Sequence, residues 1–163
     1  MVFLIFISAI IVLRITELFV ARRNEKWIRA QGGVEYGVAH YPYMVALHTL
    51  FFLALLVEYY FRYPVAYSSV LIIIYGLLLL LKLWVVASLG KYWNTKILRI
   101  PGLQLVNKGP YRYVKHPNYI IVVAEIALIP LCFHLYFTAI TFSILNAAML
   151  YVRISVENKA LNN

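Results

Sequence analysis

The strongest constraint on this chain is a series of apolar runs, each long enough to matter to a bilayer. They cover Val2–Val20, about Tyr43–Phe61, about Val65–Leu89, and a last stretch, Tyr119–Val152, broken by Pro130 and His134. A helix crossing roughly 30 Å of hydrocarbon takes ~20 residues, and it is the local structure that leaves no backbone polar group unpaired in lipid. The last stretch is too long for one crossing and short for two. It therefore reads as a tight hairpin turning near Pro130–Tyr136, with arms over about 119–133 and 136–154. The expected fold is an all-α integral membrane protein with five transmembrane helices, a single membrane domain over residues 1–163. Composition agrees: 64% of the residues are hydrophobic, against roughly 45–50% apolar in soluble domains. No polar segment is long enough for a separate soluble domain.

The charges lie between these runs. Arg22, Arg23, Lys26 and Arg29 follow the first run. Lys91, Lys96, Arg99, Lys108, Arg112 and Lys115 follow the third, and Arg153 and Lys159 close the chain. The other connections hold only Arg62. Loops on the cytoplasmic side collect Lys and Arg, so the N-terminus is expected outside and the C-terminus in the cytoplasm. The net charge of +9 then reflects topology and anionic headgroups, and a nucleic-acid partner is not expected. The opening "MVFLIFISAIIVL" has no basic residue ahead of its apolar core and no small-residue cleavage site, so it reads as a retained first span. Before the hairpin, Gly90–Lys115 mixes aromatics with cations, as an interfacial stretch does, and "PGLQLVNKGPY" reads as loop.

Ionisable groups inside a span cost roughly 2.5–3.5 kcal/mol each and are default candidates for a site. Arg14 and Glu17 stand one turn apart and can pair. Lys82 reads as snorkelling towards the end of its span, and Glu58 with Arg62 reads as a surface pair at i, i+4. His48 and His134 match no metal spacing, no HExxH or CxxC is present, and no metal is expected. The single Cys132 reads as a small buried hydrophobe. Glu125 differs: no cation lies at i+3 or i+4, so its partner must come from outside its own helix. Near the end of the chain, Arg153 and Glu157 project from one helix face. If both arms of the hairpin meet the cytoplasmic face, Lys115, His116, Arg153 and Glu157 converge on one pocket mouth. Such a set suits a zwitterionic ligand with its own amine and carboxylate.

At these residues the chain resembles a known family. "GPYRYVKHPNY" followed by "RISVEN" is similar to the isoprenylcysteine carboxyl methyltransferases and their phospholipid methyltransferase relatives, over about Leu103–Leu161. The resemblance implies a multi-span enzyme that binds S-adenosylmethionine within about residues 90–163. Carried over by position, Gln104, Leu105 and Val106 would line the adenine, and Tyr111, Lys115, His116, Pro117, Tyr119 and Glu157 would shape the rest of the cofactor pocket. Arg153, Glu157 and His116 would be catalytic. Two departures are visible: Lys115 stands where the family has Arg, which removes bidentate recognition, and Asn158 replaces a second Glu.

A finer resemblance runs through "RITELFVARRNEKWIRAQGGVEYGVAHYPYMVALH". It is similar to the bacterial branch that O-methylates long-chain alkylpyrones, which implies a bacterial cell membrane and an active site at its cytoplasmic face. It implies Glu35, His40, His48 and Glu125 on the acceptor side, with a lipophilic small molecule and membrane lipid as partners and no obligate protein partner. His116 is either a general base or a structural helix-entry residue. The alternatives are a prenylated cysteine carboxylate or a phospholipid amine as acceptor, and, in another class, a small transporter or scaffold. A transporter is expected to show paired repeats and interrupted spans in both halves, whereas here only the last third is interrupted.

Overall fold

A computed structural model describes residues 1–63, 66–104 and 106–162. Five helices follow in order: α1 (Val2–Ala30), α2 (Tyr41–Phe61), α3 (Ser69–Leu89), α4 (Pro117–Leu131) and α5 (Tyr136–Asn162). Four of them, α1, α2, α3 and α5, are long and apolar enough to cross a membrane. With α4 apolar as well, the chain is an integral membrane protein. α4 has 15 residues and so measures about 22 Å.

Local chemistry sets the helix ends. The Ser68 hydroxyl accepts from the Leu71 amide at 3.4 Å and caps α3. Proline stands in the first turn of α2 and of α4, where no amide donor is needed. Pro130 sits one residue before the end of α4, and the backbone then turns through residues 132–135 into α5. There the Glu58 carboxylate accepts from the amides of Phe137, at 3.2 Å, and Thr138, at 2.7 Å. The surface pair expected of Glu58 with Arg62 is present at 3.4 Å, but the carboxylate also caps α5.

The boundaries expected from the apolar runs are corrected in two places. α1 does not end near Val20: it continues to Ala30, so the first group of cations lies on a helical extension and not in a loop. α5 runs beyond the expected arm end at 154, to Asn162, and carries Arg153 and Glu157 on one continuous helix, as their spacing implies. Pairing of the extensions with neighbouring segments explains both. The expected start of the third run, Val65, lies outside the described residues, and α3 begins at Ser69.

One β element accompanies the helices. Residues Val34–Tyr36 (β1) and Ile97–Arg99 (β2) form a two-stranded antiparallel ribbon, with Glu35 opposite Leu98. It ties the segment after α1 to the segment after α3. Salt bridges reinforce the junction: Lys96 meets Glu25 at 2.8 Å and Glu35 at 3.5 Å, and Arg29 pairs with both carboxylates. The Lys96 ammonium is held above its ordinary range chiefly by its hydrogen bond to Glu25.

The apolar core sits at the opposite end of the bundle, beside the α4–α5 turn. Phe3 of α1 stacks on Tyr59 of α2 at 3.8 Å and meets Phe133 edge-on at 5.0 Å. Ile7, Phe51, Leu55, Tyr75 and Ile129 are buried around them. Elsewhere large apolar side chains are exposed along the outer faces of α1, α2, α3 and α5, as helices solvated by lipid require. The bundle is thus sealed at one end and open, polar and laced with loops at the other.

Candidate functional site

The α1 extension builds the floor of the open end. Asn24, buried at 7% exposure, donates from Nδ2 to the carbonyls of Gly90 (3.1 Å) and Trp93 (2.7 Å). Asn94 returns the contact, donating to the Ala21 carbonyl at 2.9 Å. These bonds fix residues 93–95 against α1, and Thr95 then presents its carbonyl to Arg153 of α5 at 2.7 Å. Gly109 begins a short turn, Gly109–Arg112, at φ 54°. A Cβ there would overlap the Ser88 hydroxyl at the end of α3, so glycine lets this turn pack closely and aim Tyr111 inward.

Arg153 is the hub of the site. Its Nε donates to the Tyr119 hydroxyl at 2.9 Å, its guanidinium lies 5.4 Å from the Tyr119 ring, and Nη1 contacts the Met44 sulfur. Tyr119 in turn donates to the Glu157 carboxylate. Arg153 and Glu157, one turn apart on α5, are therefore joined through Tyr119 and not directly. His116 stacks on Tyr119 at 5.2 Å between ring centres, with its Nδ1 3.7 Å from Glu157. Its Nε2 is buried and has no partner among the described residues. Lys115 donates to Asn158 at 2.7 Å, and buried Pro117 starts α4. Burial raises the Tyr111 phenol above its ordinary range, which keeps it a neutral hydroxyl.

Two cavities meet here. One, about 140 Å³, is lined by Tyr92, Lys96, Tyr111, Lys115, His116 and Glu157 among others. The second, about 250 Å³, runs into the bundle past Met44, His48 and Phe52 of α2 to Arg14, Glu17 and Lys82. Trp93, Asn94, Asn118, Tyr119 and Arg153 line both. Trp93 is 4% exposed and its indole N–H has no partner among the described residues. A buried donor left unpaired costs about 1–3 kcal/mol, so an orphaned indole N–H on a residue that lines both cavities calls for an explanation.

The sequence-predicted residues fall into distinct places. Tyr111, Lys115, His116, Tyr119, Arg153 and Glu157 gather at the first cavity, and His48 lines the second. His40 stands at the start of α2; burial, with Arg153 nearby, lowers the pKa of its imidazole. Glu35 belongs to the Lys96–Arg29 network and lines neither cavity. Gln104 is exposed and Val106 half-buried; neither lines the first cavity, and Leu105 lies outside the described residues. Glu125 is 1% exposed, and its partners are Arg14 at 2.6 Å and Lys82 at 3.3 Å. Lys82, expected to snorkel, is instead 5% exposed and also paired to Glu17. Two carboxylates hold it in place, which removes the drive to reach the interface. Arg14 pairs with Glu17 at 2.8 Å, as the one-turn spacing predicts.

Trp93, Thr95 and Asn118 were not expected. Their types carry no motif, and Trp93 within "GKYWNTK" has the look of an interfacial anchor. Its one signal is a tryptophan between Tyr92 and Asn94, with Lys91 and Lys96 on either side.

The sequence profile of the isoprenylcysteine carboxyl methyltransferase (ICMT) family matches residues 69–163. A Bacillus subtilis (strain 168) protein, uncharacterized protein YpbQ, is 45% identical over 161 residues, covering 98% of this chain and 96% of its own length. An uncharacterized protein of Haemophilus influenzae is 26% identical over 162 residues, covering 96% of this chain and 92% of its own length. No solved structure matches the chain.

Proposed function

The chain belongs to the isoprenylcysteine carboxyl methyltransferase family, and from that premise we propose that it is a methyltransferase whose lipophilic acceptor is a long-chain hydroxyl, that of an alkylpyrone. The observation that carries this reading is the shared wall: a polar cavity at the loop end and a largely apolar one in the bundle, meeting at Trp93, Tyr119 and Arg153. An enzyme joining a water-soluble donor to a greasy acceptor needs two such spaces with one boundary.

Methyltransferases of this family use S-adenosylmethionine, and the residues lining the first cavity fit it. Glu157 offers a carboxylate to an ammonium group, Lys115 a cation to a carboxylate, and His116 Nε2 and Trp93 Nε1 are buried polar atoms without a partner among the described residues. Tyr92, Tyr111 and Tyr119 supply apolar faces. The bound cofactor supplies an activated sulfonium methyl. The chain's part is positioning, worth roughly 7–11 kcal/mol in well-aligned reactions.

Arg153, fixed by Tyr119 and the Thr95 carbonyl, stands at the boundary where it stabilises an acceptor oxygen that has lost its proton. An enolic hydroxyl is acidic enough to arrive ionised or to need only a modest base. His116, stacked and oriented beside Glu157, is positioned to hold that proton. The apolar walls of the second cavity exclude water. The basic loops favour the cytoplasmic side for the first cavity, where the cofactor is dissolved.

The test is equilibrium binding of S-adenosylhomocysteine to purified protein in detergent. Saturable binding that Glu157→Arg abolishes is expected. No saturable binding by the unaltered protein refutes the methyltransferase reading, and full binding by the variant refutes the role given to Glu157.

A further inference from the structure

Arg14, Glu17, Lys82 and Glu125 form a closed electrostatic quartet inside the bundle, and their formal charges cancel. Arg14 meets Glu17 at 2.8 Å and Glu125 at 2.6 Å, and Lys82 meets Glu125 at 3.3 Å. Lys82 and Glu17 are also paired, which closes the ring. The quartet is not uniformly sealed. Glu125 and Lys82 are 1% and 6% exposed at their side chains, whereas Arg14 and Glu17 are 26% and 23% exposed. Arg14, Glu17 and Lys82 all line the second cavity, and Arg14 and Glu17 form the more exposed edge of the quartet there. Here one guanidinium edge and one carboxylate are turned into an apolar-walled space at membrane depth.

The position of the quartet is equally informative. Asn94 binds the Ala21 carbonyl at the level of the shared wall. Arg14 lies seven residues nearer the sealed end of α1, or about 10 Å deeper at 1.5 Å per residue. On α2 the cavity passes Met44, which touches Arg153, and then His48 and Phe52 on successive turns. The cavity thus has cationic groups at both ends and does not continue as a greasy channel. Leu18 of α1 and Val45 of α2 line it and are 43% and 45% exposed, so it also opens sideways, between these two helices, towards lipid.

We propose that Arg14 and Glu17, held by Lys82 and Glu125, are a second polar subsite that anchors a carbonyl or hydroxyl of the acceptor head, while the hydrocarbon tail leaves laterally between α1 and α2. This rests on the methyltransferase reading for its reactive end and extends it at the other. The acceptor class that fits is a compact head with two oxygen functions on opposite sides, one presented to Arg153 and one to Arg14. A lipid with one polar group and a plain hydrocarbon body would bury the Arg14 guanidinium against carbon, which costs more than the burial returns. Glu125 lines neither of the two cavities and acts as a positioning residue for Arg14.

The test uses two labelled probes of equal chain length bound to the full-length protein in lipid nanodiscs. One is an alkylated hydroxypyrone, with a hydroxyl and a ring carbonyl; the other is an alkylphenol, with the hydroxyl alone. The unaltered protein is expected to bind the hydroxypyrone about 10-fold or more tighter, the value of one hydrogen bond to a charged group. Glu17→Gln and Arg14→Lys are expected to reduce that preference to about 3-fold or less, with alkylphenol and S-adenosylhomocysteine binding unchanged. Glu17→Gln keeps size and sits at the cavity edge, so it decides the matter alone if Arg14→Lys fails to fold. Equal binding of the two probes by the unaltered protein, or an undiminished preference in Glu17→Gln, overturns the subsite. If the preference behaves as expected but the hydroxypyrone never acquires a methyl group, the subsite stands and the methyl-transfer reading falls.

Discussion

Removing Glu125 should destabilise the protein far more than its size suggests, and removing Lys82 with it should restore much of the loss. Glu125 is 1% exposed and lies 2.6 Å from Arg14 and 3.3 Å from Lys82. Glu125→Leu leaves the buried Lys82 ammonium and the part-buried Arg14 guanidinium facing Glu17 alone. Breaking a buried pair from one side costs about 3–5 kcal/mol, whereas replacing both partners with apolar residues is often neutral. In Glu125→Leu/Lys82→Leu the remaining Arg14–Glu17 pair is balanced, and two leucines fill a bundle that is already apolar. For a chain of this length a loss of 3–5 kcal/mol lowers Tm by about 10 °C. The assay is thermal unfolding in one detergent, followed by helical circular dichroism, for both single variants and the double variant. The expected result is a positive coupling of about 2 kcal/mol or more between the two sites. A Glu125→Leu variant within about 2 °C of the unaltered protein, or a double variant worse than the sum of the singles, would refute the reasoning.

Other outcomes follow from individual contacts. Tyr119→Phe keeps the ring but cuts the hydroxyl that joins Arg153 to Glu157; about 10-fold weaker S-adenosylhomocysteine binding is expected by titration, with Tm changed by only a few degrees. Gly37 has φ 67°, and a Cβ there would strike the His40 ring and come within 2.8 Å of Val156. Gly37→Ala is therefore expected to lose about 1 kcal/mol or more, while Gly76→Ala, with nothing within 4 Å, gains about 0.5–1 kcal/mol in α3; thermal melts of the pair decide this. The folded protein holds His40 below its ordinary pKa of 6.5, so folding favours the neutral ring. Its contribution is fully present above pH ~6.5 and is lost as pH falls below it; His40→Gln should flatten that acid limb of the stability profile, and an unchanged limb contradicts the assignment.

Much of the architecture was legible because helices in lipid must be long, apolar and capped by charge. The convergence of Lys115, His116, Arg153 and Glu157 was legible too, since helix entry and one-turn spacing bring them together. Glu125 shows where such reading stops. Its need for an outside partner followed from the empty i+3 and i+4 positions. The partner's identity did not, because Arg14 already had Glu17 on its own helix and Lys82 had a route to the interface. Spacing along one helix says nothing about how helices are rotated against each other. The β ribbon was missed for a related reason: three residues on each side are too few to show alternation, and the partners are more than 60 positions apart. Trp93 gains its role only from lying where two cavities meet, and Thr95 only from the carbonyl it offers to Arg153.

Transfer of a methyl group from a soluble donor to a lipid-borne hydroxyl is proposed to occur at the shared wall of Trp93, Tyr119 and Arg153. It is tested most directly by incubating the purified protein in nanodiscs with methyl-labelled S-adenosylmethionine and an alkylated hydroxypyrone. The expected product is a labelled methyl ether, formed by the unaltered protein and lost in Arg153→Ala. Label appearing only on a prenylcysteine carboxylate or a phospholipid amine, or on no lipophilic acceptor while S-adenosylhomocysteine still binds, would contradict it.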